Sequence, residues 1–188
     1  MQYQRRLPHW DPGDAALFIT WRLRGSLPAP PSDWEALPPG RRFAALDGSL
    51  DHSPIGPHWL NNPAVAECVS KALRYGSETL RLYDLDAWVI MSNHIHILID
   101  PRAPLPRITR AIKSYSAKEA NVILGRTGEP FWQIESFDHW VRSEKEFANI
   151  VRYIEFNPVK AGLVTRPEDW HWSSAWKEAG REACATKP

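Results

Sequence analysis

The sequence predicts an α+β fold in which helices pack on an antiparallel, ferredoxin-like sheet. Predicted elements follow one another as strand, helix, strand, strand, helix, strand and helix. The two central strands are separated only by Ser92 and Asn93, a spacing typical of an antiparallel hairpin. Hydrophobic residues make up 43% of the 188 residues and charged residues 24%, which is the composition of a globular chain.

The first predicted elements are a strand, a long irregular segment and a helix. Residues 16–23 are rich in aromatic and branched side chains and predict a strand. Residues 25–58 hold seven of the 17 prolines, which indicates a loop or insertion with a short helix near 41–46. Pro63 is suited to the first turn of a helix, and Gly76 is expected to end that helix.

The last predicted helix has recognisable signals at both ends. Ser143 and Glu146 have the spacing of a capping box at its start. Asn157 and Pro158 are expected to end it, because the residue before a proline avoids the helical conformation. Four elements are predicted between the helix that begins at Pro63 and this last helix. They are a strand over 82–91, a strand that carries two histidines, a helix over 105–124 closed by Gly125, and a strand over 137–141.

Composition also limits the organisation and the location of the chain. We expect a single domain over residues 1–176 and a loose polar tail over 177–188. Cys68 and Cys184 match no zinc spacing and no disulfide framework, which favours a reducing cytoplasm. A membrane is not an expected partner, since no apolar run approaches the roughly 18 residues that a spanning helix needs. The net charge of +1 means that any signal for nucleic acid must be local.

The most informative motif is His94-Ile95-His96, which lies in an alternating run. Neighbouring side chains of a strand point to opposite faces, so the two histidines share one face. Ile95, Ile97 and Ile99 fill the other face. Two imidazoles side by side on a rigid strand form half of a metal site. An isolated pair of this kind is more often structural, so the interpretation depends on finding further ligands.

The helix predicted after the histidine strand offers a candidate nucleophile and a candidate ligand. Tyr115 and Glu119 are one helical turn apart and so share a face. Glu119 within an apolar stripe is costly unless a cation pairs with it, and Mg²⁺ or Mn²⁺ accepts carboxylate oxygen. The alternative is that Glu119 flanks the stripe in solvent and that Tyr115 belongs to the core or its rim. The stripe consists of Ile108, Ile112 and Val122.

A tyrosine near such a metal site suggests attack on a phosphate. The reference pKa of a phenol is about 10, so Tyr115 would need a Lewis acid that polarises its target. The product would be a phosphotyrosine that keeps the energy of the cleaved phosphodiester. That chemistry suits recombination better than degradation.

Local positive charge is consistent with a nucleic-acid substrate. The same helix and the loop after it carry several cations and a single acid, Glu119, between residues 102 and 126. This charge predicts a phosphate track, with a solvated helix face as the alternative. The candidate DNA contacts are Arg107, Arg110, Lys113, Lys118 and Arg126, together with Lys160 farther along the chain.

Five segments together resemble the HUH single-strand nucleases, and in particular the REP-associated tyrosine transposases of the IS200-like group. They are residues 91–98 with the two histidines, 112–117 around Tyr115, 131–133, 153–164 and 167–175. A lone pair of histidines is a weak signal, but this ordered set covers most of the chain. The Pro-rich segment over 25–58 is its least family-like part.

The resemblance implies a ferredoxin-like HUH nuclease domain that uses Mg²⁺ or Mn²⁺ on single-stranded or hairpin DNA. By analogy, His94 and His96 bind the metal, and Tyr115 attacks the phosphate to leave a 5′-phosphotyrosine and a free 3′-OH. Relatives place a third ligand one turn after the tyrosine, and Glu119 matches that position. One tyrosine per chain is compatible with a monomer or a homodimer.

Two other functions are alternatives to this one. A histidine-triad nucleotide hydrolase requires a third histidine at the next position on the same face, where this chain has Leu98. A catalytically silent regulator that binds hairpin DNA on the same fold is the second alternative. Loss of cleavage without loss of binding in Tyr115→Phe is expected only for the enzyme.

Overall fold

A computed structural model describes residues 15–27, 39–51 and 55–177, without the side chains of residues 39, 40, 42, 44 and 46. The strands are β1 (Leu17–Arg22), β2 (Tyr83–Ile90), β3 (His94–Pro101) and β4 (Phe137–Trp140). The helices are α1 (Pro39–Asp51), α2 (Pro63–Arg74), α3 (Leu105–Ile123) and α4 (Glu144–Lys160). Short 3₁₀ turns cover Trp59–Asn61 and Pro167–Asp169, and a π-helical turn covers Tyr75–Thr79.

The four strands form one antiparallel sheet in the order β2-β3-β1-β4. The predicted α+β class and ferredoxin-like sheet are therefore confirmed. The histidine strand β3 is central and hydrogen-bonds to a neighbour on each side, which places its side chains in fixed positions. In the β1–β3 register, His96 lies opposite Thr20 and His94 lies opposite Arg22.

One face of the sheet is covered by α2 and α3. Ile95, Ile97 and Ile99 of β3 are fully buried on this face and belong to the larger of two hydrophobic cores. The apolar stripe of α3 packs into the same core through Ile108 and Ile112. The free energy of this burial, at roughly 25 cal/mol per Å² of apolar surface, fixes the side of the sheet on which α3 lies.

The other face of the sheet carries a smaller core together with the histidines. Phe18 and Leu98 from the strands pack there against Ile154 of α4. Phe43 of α1 joins this core, and its ring meets that of Phe18 at a centroid distance of 5.3 Å. Thus α1 and α4 share the histidine-bearing face, whereas α2 and α3 lie on the opposite face.

The end of α2 differs from the sequence prediction. The backbone does not stop at Gly76 but widens into the π-helical turn Tyr75–Thr79, where Leu80 N donates to Tyr75 O. Gly76 has instead a packing role, because a Cβ there would lie 2.5 Å from the hydroxyl oxygen of Tyr83. The predicted start is confirmed, since Asn62 caps the helix and Pro63 occupies its first turn.

The prediction for α4 is confirmed at its start and wrong at its end. Ser143 is the N-cap and accepts a hydrogen bond from Glu146 N. The helix continues through Asn157 and Pro158 to Lys160. A proline removes one backbone donor. The following turn still closes, because Ala161 N donates to the Asn157 oxygen at 2.9 Å.

The Pro-rich segment contains a helix, as the sequence predicts. The short helix expected near 41–46 is present as the longer α1. Residues 178–188 lie outside the described part of the chain, so the tail and the domain bounds stay predictions. Among the described helices, none is both long and apolar enough to cross a membrane.

Candidate metal centre

The two histidine side chains project from β3 into the space between the sheet, α1 and α4. Both residues are completely buried. Their Nε2 atoms lie 3.1 Å apart, with the ring planes at 75° to one another. Two nitrogens at this distance converge on one point, which is the arrangement that a shared cation requires. The strand alternation predicted this shared face correctly.

Asn93 sets the protonation of His94. Its side-chain Nδ2 donates to the backbone oxygen of Leu50 at 3.0 Å, which fixes the orientation of the amide. Its Oδ1 therefore faces His94 Nδ1, at 2.7 Å, and must accept a hydrogen from it. The neutral imidazole of His94 consequently has its lone pair on Nε2. Burial and the neighbouring His96 lower the pKa of His94 well below its ordinary value, so this ring is neutral at physiological pH.

Thr20 orients the ring of His96 from β1. The Thr20 hydroxyl oxygen lies 2.7 Å from His96 Nδ1, inside the buried sheet. The rings of Phe18 and His96 stack at a centroid distance of 5.7 Å. The contact with Nδ1 orients the ring so that the Nε2 of His96 faces the site.

Asp47 is a third candidate ligand, and α1 supplies it. Its Oδ1 lies 3.0 Å from His96 Nε2 and 3.7 Å from His94 Nε2. These three side chains form the group that can hold a metal ion among the described residues. Burial by itself raises the pKa of Asp47, but His96, Lys160 and Tyr153 outweigh it, and the net pKa lies below the ordinary value. Asp47 is therefore ionised.

A second carboxylate and one ammonium complete the charged cluster. Asp51, one turn after Asp47, has a fully buried side chain. Lys160 Nζ lies 2.8 Å from Asp47 Oδ2 and 3.2 Å from Asp51 Oδ2. Burial and the Asp47 charge raise the pKa of Asp51. The two carboxylates outweigh the burial of Lys160 and raise its pKa.

Tyr153 of α4 places a phenol at the same site. Its ring contacts that of His96 at a centroid distance of 5.5 Å. Within the described residues, its buried hydroxyl makes no hydrogen bond of good geometry. Burial, followed by the charges of Asp47 and Asp51, raises the pKa of Tyr153 well above its ordinary value. The phenol is therefore protonated in the absence of a cation.

Asn157 lies one helical turn after Tyr153 and reaches the same histidine. The residue is fully buried, and its Nδ2 lies 3.3 Å from His96 Nε2. Among the described residues, its Oδ1 has no hydrogen-bond partner. The oxygen and nitrogen of an amide can exchange places by rotation, which would turn this oxygen toward the histidines. Asn157 is thus a neutral oxygen donor at the edge of the site.

These residues fit a divalent cation. The two imidazole Nε2 atoms lie 3.1 Å apart, and a carboxylate oxygen of Asp47 and the amide oxygen of Asn157 have no hydrogen-bond partner in the described structure. Buried polar atoms without partners are rare in native proteins and call for an explanation such as an ion. Mixed nitrogen and oxygen donors suit Mn²⁺ well and Mg²⁺ acceptably.

The structure does not bring Tyr115 or Glu119 to the histidines. Both lie on α3, whose apolar stripe packs against the isoleucine face of β3, on the opposite side of the sheet. Tyr115 is 52% exposed. This corrects the expected geometry, and the physical reason is that one sheet separates α3 from His94 and His96.

The predicted cations are divided between the two sides in the same way. Lys160 is at the site, in contact with its carboxylates. The other five belong to α3 and the loop after it. Lys113 donates to the backbone oxygens of Gln133 and Ile134, and Arg126 lies over the Trp59 ring at 3.7 Å. Exposed positions are taken by Arg107, Arg110 and Lys118.

Sequence reasoning missed three residues of the site, and the sequence contains a signal for two of them. Tyr153 and Asn157 have the one-turn spacing that was assigned to Tyr115 and Glu119, inside a segment that already carried the family resemblance. Asp47 offered no such signal, because its Pro-rich surroundings predict only an irregular segment.

Comparison with known proteins identifies relatives of the chain. A family model described as IS200-like transposase matches residues 59–157. A REP-associated tyrosine transposase of Escherichia coli (strain K12) is 27% identical over 104 residues, which are 54% of this chain and 59% of that protein. The match therefore spans less than two thirds of the relative.

A solved structure shows the same fold. It is that of a REP-associated tyrosine transposase bound to a REP hairpin, with a TM-score of 0.57 and 19% identity. The alignment covers 93% of this chain and 82% of the other. At this identity the likeness supports the fold alone.

Proposed function

The chain belongs to the IS200-like transposase family, and on that premise we propose that it cleaves and rejoins single-stranded DNA through a covalent bond to Tyr153. The observation that carries the proposal is the position of the Tyr153 ring, whose centroid lies 5.5 Å from that of His96, in the cluster that also holds Asp47 and Asn157. Tyr153 replaces Tyr115 as the nucleophile, because the sheet separates Tyr115 from the histidines.

The cation ligands in this proposal are His94, His96, Asp47 and Asn157. Mg²⁺ or Mn²⁺ bound there would polarise the scissile phosphate and stabilise the charge on the leaving oxygen. Asn157 takes the role first assigned to Glu119, because it has the same one-turn spacing from a tyrosine and lies 3.3 Å from His96. Thr20 and Asn93 hold the two imidazoles so that Nε2 of each faces the site.

The reaction is a transesterification at phosphorus. The phenolic oxygen of Tyr153 forms a bond to the phosphorus as the bond from phosphorus to the 3′ oxygen breaks. Tyr153 loses its proton and the leaving 3′ oxygen gains one, so a 5′-phosphotyrosine and a free 3′-OH result. Reversal with another 3′-OH joins strands without an external energy source. An α-helix that packs on the sheet holds the attacking oxygen in place, which lowers the entropic part of the barrier.

Hairpin DNA is the proposed substrate class. The relative of known structure is bound to a REP hairpin, and the curated relative is named for association with REP elements. An unpaired backbone beside a folded stem can reach a recessed tyrosine, whereas a continuous duplex is stiff. Lys160, 48% exposed in its side chain, is the predicted DNA contact that lies beside the site. Arg107, Arg110, Lys113, Lys118 and Arg126 stay predictions as contacts on the other side of the sheet.

The experiment uses end-labelled single-stranded hairpins from the DNA that flanks the gene. The whole chain is incubated with them in Mn²⁺ or Mg²⁺ and the products are separated on a denaturing gel. We expect a labelled band at protein mass that disappears with EDTA and in Tyr153→Phe. Tyr115→Phe is the matched control, because it removes the same hydroxyl from an exposed position across the sheet.

Each result has a distinct meaning. A covalent band that persists in Tyr153→Phe and disappears in Tyr115→Phe would return the nucleophile to α3. Cleavage that persists in both variants would make water the nucleophile and exclude a tyrosine intermediate. Binding of hairpins without cleavage under any metal would favour the silent regulator.

A further inference from the structure

Helix α1 contributes to the metal centre although it precedes the part of the chain that matches the family. The family model begins at residue 59, and α1 covers Pro39–Asp51. The helix is nevertheless attached to the histidine pair by several contacts. Phe43 meets the His96 ring at a centroid distance of 6.2 Å, and Leu50 accepts the hydrogen bond of Asn93.

Asp51 is placed like Asp47, one helical turn away. Its Oδ1 lies 3.8 Å from His94 Nε2, and the Oδ1 of Asp47 lies 3.7 Å from the same atom. Both Oδ1 atoms are buried and accept no hydrogen bond from the described residues. Both Oδ2 atoms contact Lys160. Lys160 therefore holds the outer oxygens, and the inner oxygens of both carboxylates lie within 4 Å of His94 Nε2.

Carboxylates outnumber lysine ammoniums in this cluster. Asp47 and Asp51 are both buried and share the ammonium of Lys160. An unpaired carboxylate inside a protein costs several kcal/mol. The Oδ1 atom of each carboxylate lies on the side where the two Nε2 atoms converge, so a divalent cation there would offset the carboxylate charge. Asn157 Oδ1, a buried oxygen without a partner among the described residues, adds an independent indication of a ligand.

We propose that Asp51 is a further ligand of the cation and that cation binding locks α1 onto the histidine face of the sheet. This inference rests on the proposed function, since it takes the His94, His96 and Asp47 site as the place where the cation binds. Without the cation, α1 is held by Phe43, Leu50 and the Lys160 ion pairs. With the cation bound, metal bonds join α1 to β3 directly, so binding of the metal and docking of α1 are thermodynamically coupled.

The test measures Mn²⁺ binding to the whole chain in the absence of DNA. Isothermal titration gives the affinity, and amide hydrogen exchange reports the protection of residues 39–51 with and without Mn²⁺. The variants are Asp51→Asn, which keeps the shape of the side chain, and Asp51→Ser, which keeps less of it. Asp86→Asn is the control, because it removes the same charge from an exposed position on β2. Melting in EDTA establishes that each variant is folded.

We expect both Asp51 variants to bind Mn²⁺ at least tenfold more weakly and to lose the protection that Mn²⁺ gives to α1, with Asp86→Asn unchanged. Wild-type affinity in both Asp51 variants, together with lost binding in His96→Ala, would overturn this inference and leave the proposed function standing. Absence of any Mn²⁺ or Mg²⁺ binding to the wild-type chain would overturn both.

Discussion

The side-chain amide of Asn93 donates a 3.0 Å hydrogen bond to the backbone oxygen of Leu50, and its oxygen then accepts from His94. A backbone atom of α1 thus determines which nitrogen of a β3 histidine carries the proton. These two hydrogen bonds, from Leu50 through Asn93 to His94, form a relay that fixes the tautomer of His94 without any charged group.

Loss of this relay should weaken metal binding. Asn93→Ala removes the acceptor for His94 Nδ1, so the proton is free to move to Nε2, the nitrogen that faces the site. Second-layer partners of this kind typically contribute 10- to 100-fold in affinity, and we expect a loss of about that size. Mn²⁺ titration checks it, with Asn149→Ala at an exposed position of α4 as the control. An unchanged affinity in Asn93→Ala would contradict the relay.

The buried neutral state of His94 predicts a pH-dependent stability. The folded pKa of His94 is far below its ordinary value of 6.5, so below pH 6.5 the unfolded chain binds a proton that the folded chain does not. The free energy of unfolding should therefore fall as the pH decreases through 6.5, by up to about 1.4 kcal/mol per pH unit. Urea unfolding in EDTA between pH 7.5 and 5.5 measures the slope. In His94→Asn the slope should shrink by the contribution of one proton, and equal slopes would refute the assignment.

The N-cap of α4 predicts a local loss of stability. Ser143 Oγ accepts from Glu146 N, and the Glu146 carboxylate in turn accepts from Arg142 N at 2.7 Å. Ser143→Ala leaves an amide at the helix start without its acceptor, which should cost about 1 kcal/mol of unfolding free energy. Thermal or urea unfolding measures this. Ser114→Ala, at an exposed position within α3, is the control, and an equal loss there would rule out capping as the cause.

Gly76 predicts a steric penalty. A Cβ at this position would lie 2.5 Å from the Tyr83 hydroxyl oxygen, which donates a 2.7 Å hydrogen bond to Leu73 O. Gly76→Ala should therefore destabilise the fold by about 1–3 kcal/mol, the usual cost of overpacking. In Tyr83→Phe the clashing oxygen is absent, so the added cost of Gly76→Ala should be smaller. A double-mutant cycle measures that difference, and strict additivity would argue against the clash.

The sequence predicted most of the fold, because its elements carry local signals. Alternating runs located the strands, and Pro63 and Ser143 marked helix starts that the structure confirms. The end of α4 was mispredicted at Pro158. A proline in the last turn removes one donor, and burial of that turn against the sheet outweighs this cost.

Only part of the candidate site could be predicted from the sequence, because local patterns do not show which elements pack together. Strand alternation determines that His94 and His96 share a face, but it does not say which helix covers that face. The isoleucines of β3 need the apolar stripe of α3, so α3 cannot also reach the histidines. Asp47 belongs to a helix whose place depends on contacts distant in sequence, such as its ion pair with Lys160, and no local pattern encodes those.

The contact between Asp47 and Lys160 also determines when, during translation, the candidate site can be completed. The two residues are 113 positions apart, and β3 lies between them in the chain. Synthesis proceeds from the N-terminus, so the histidines emerge from the ribosome before the tyrosine and the lysine of α4 do. A nascent chain that stops short of residue 160 lacks the ammonium that holds the α1 carboxylates in place. The proposed ability to cut DNA would thus arise late in translation, which spares the cell from nuclease activity in unfinished polypeptides.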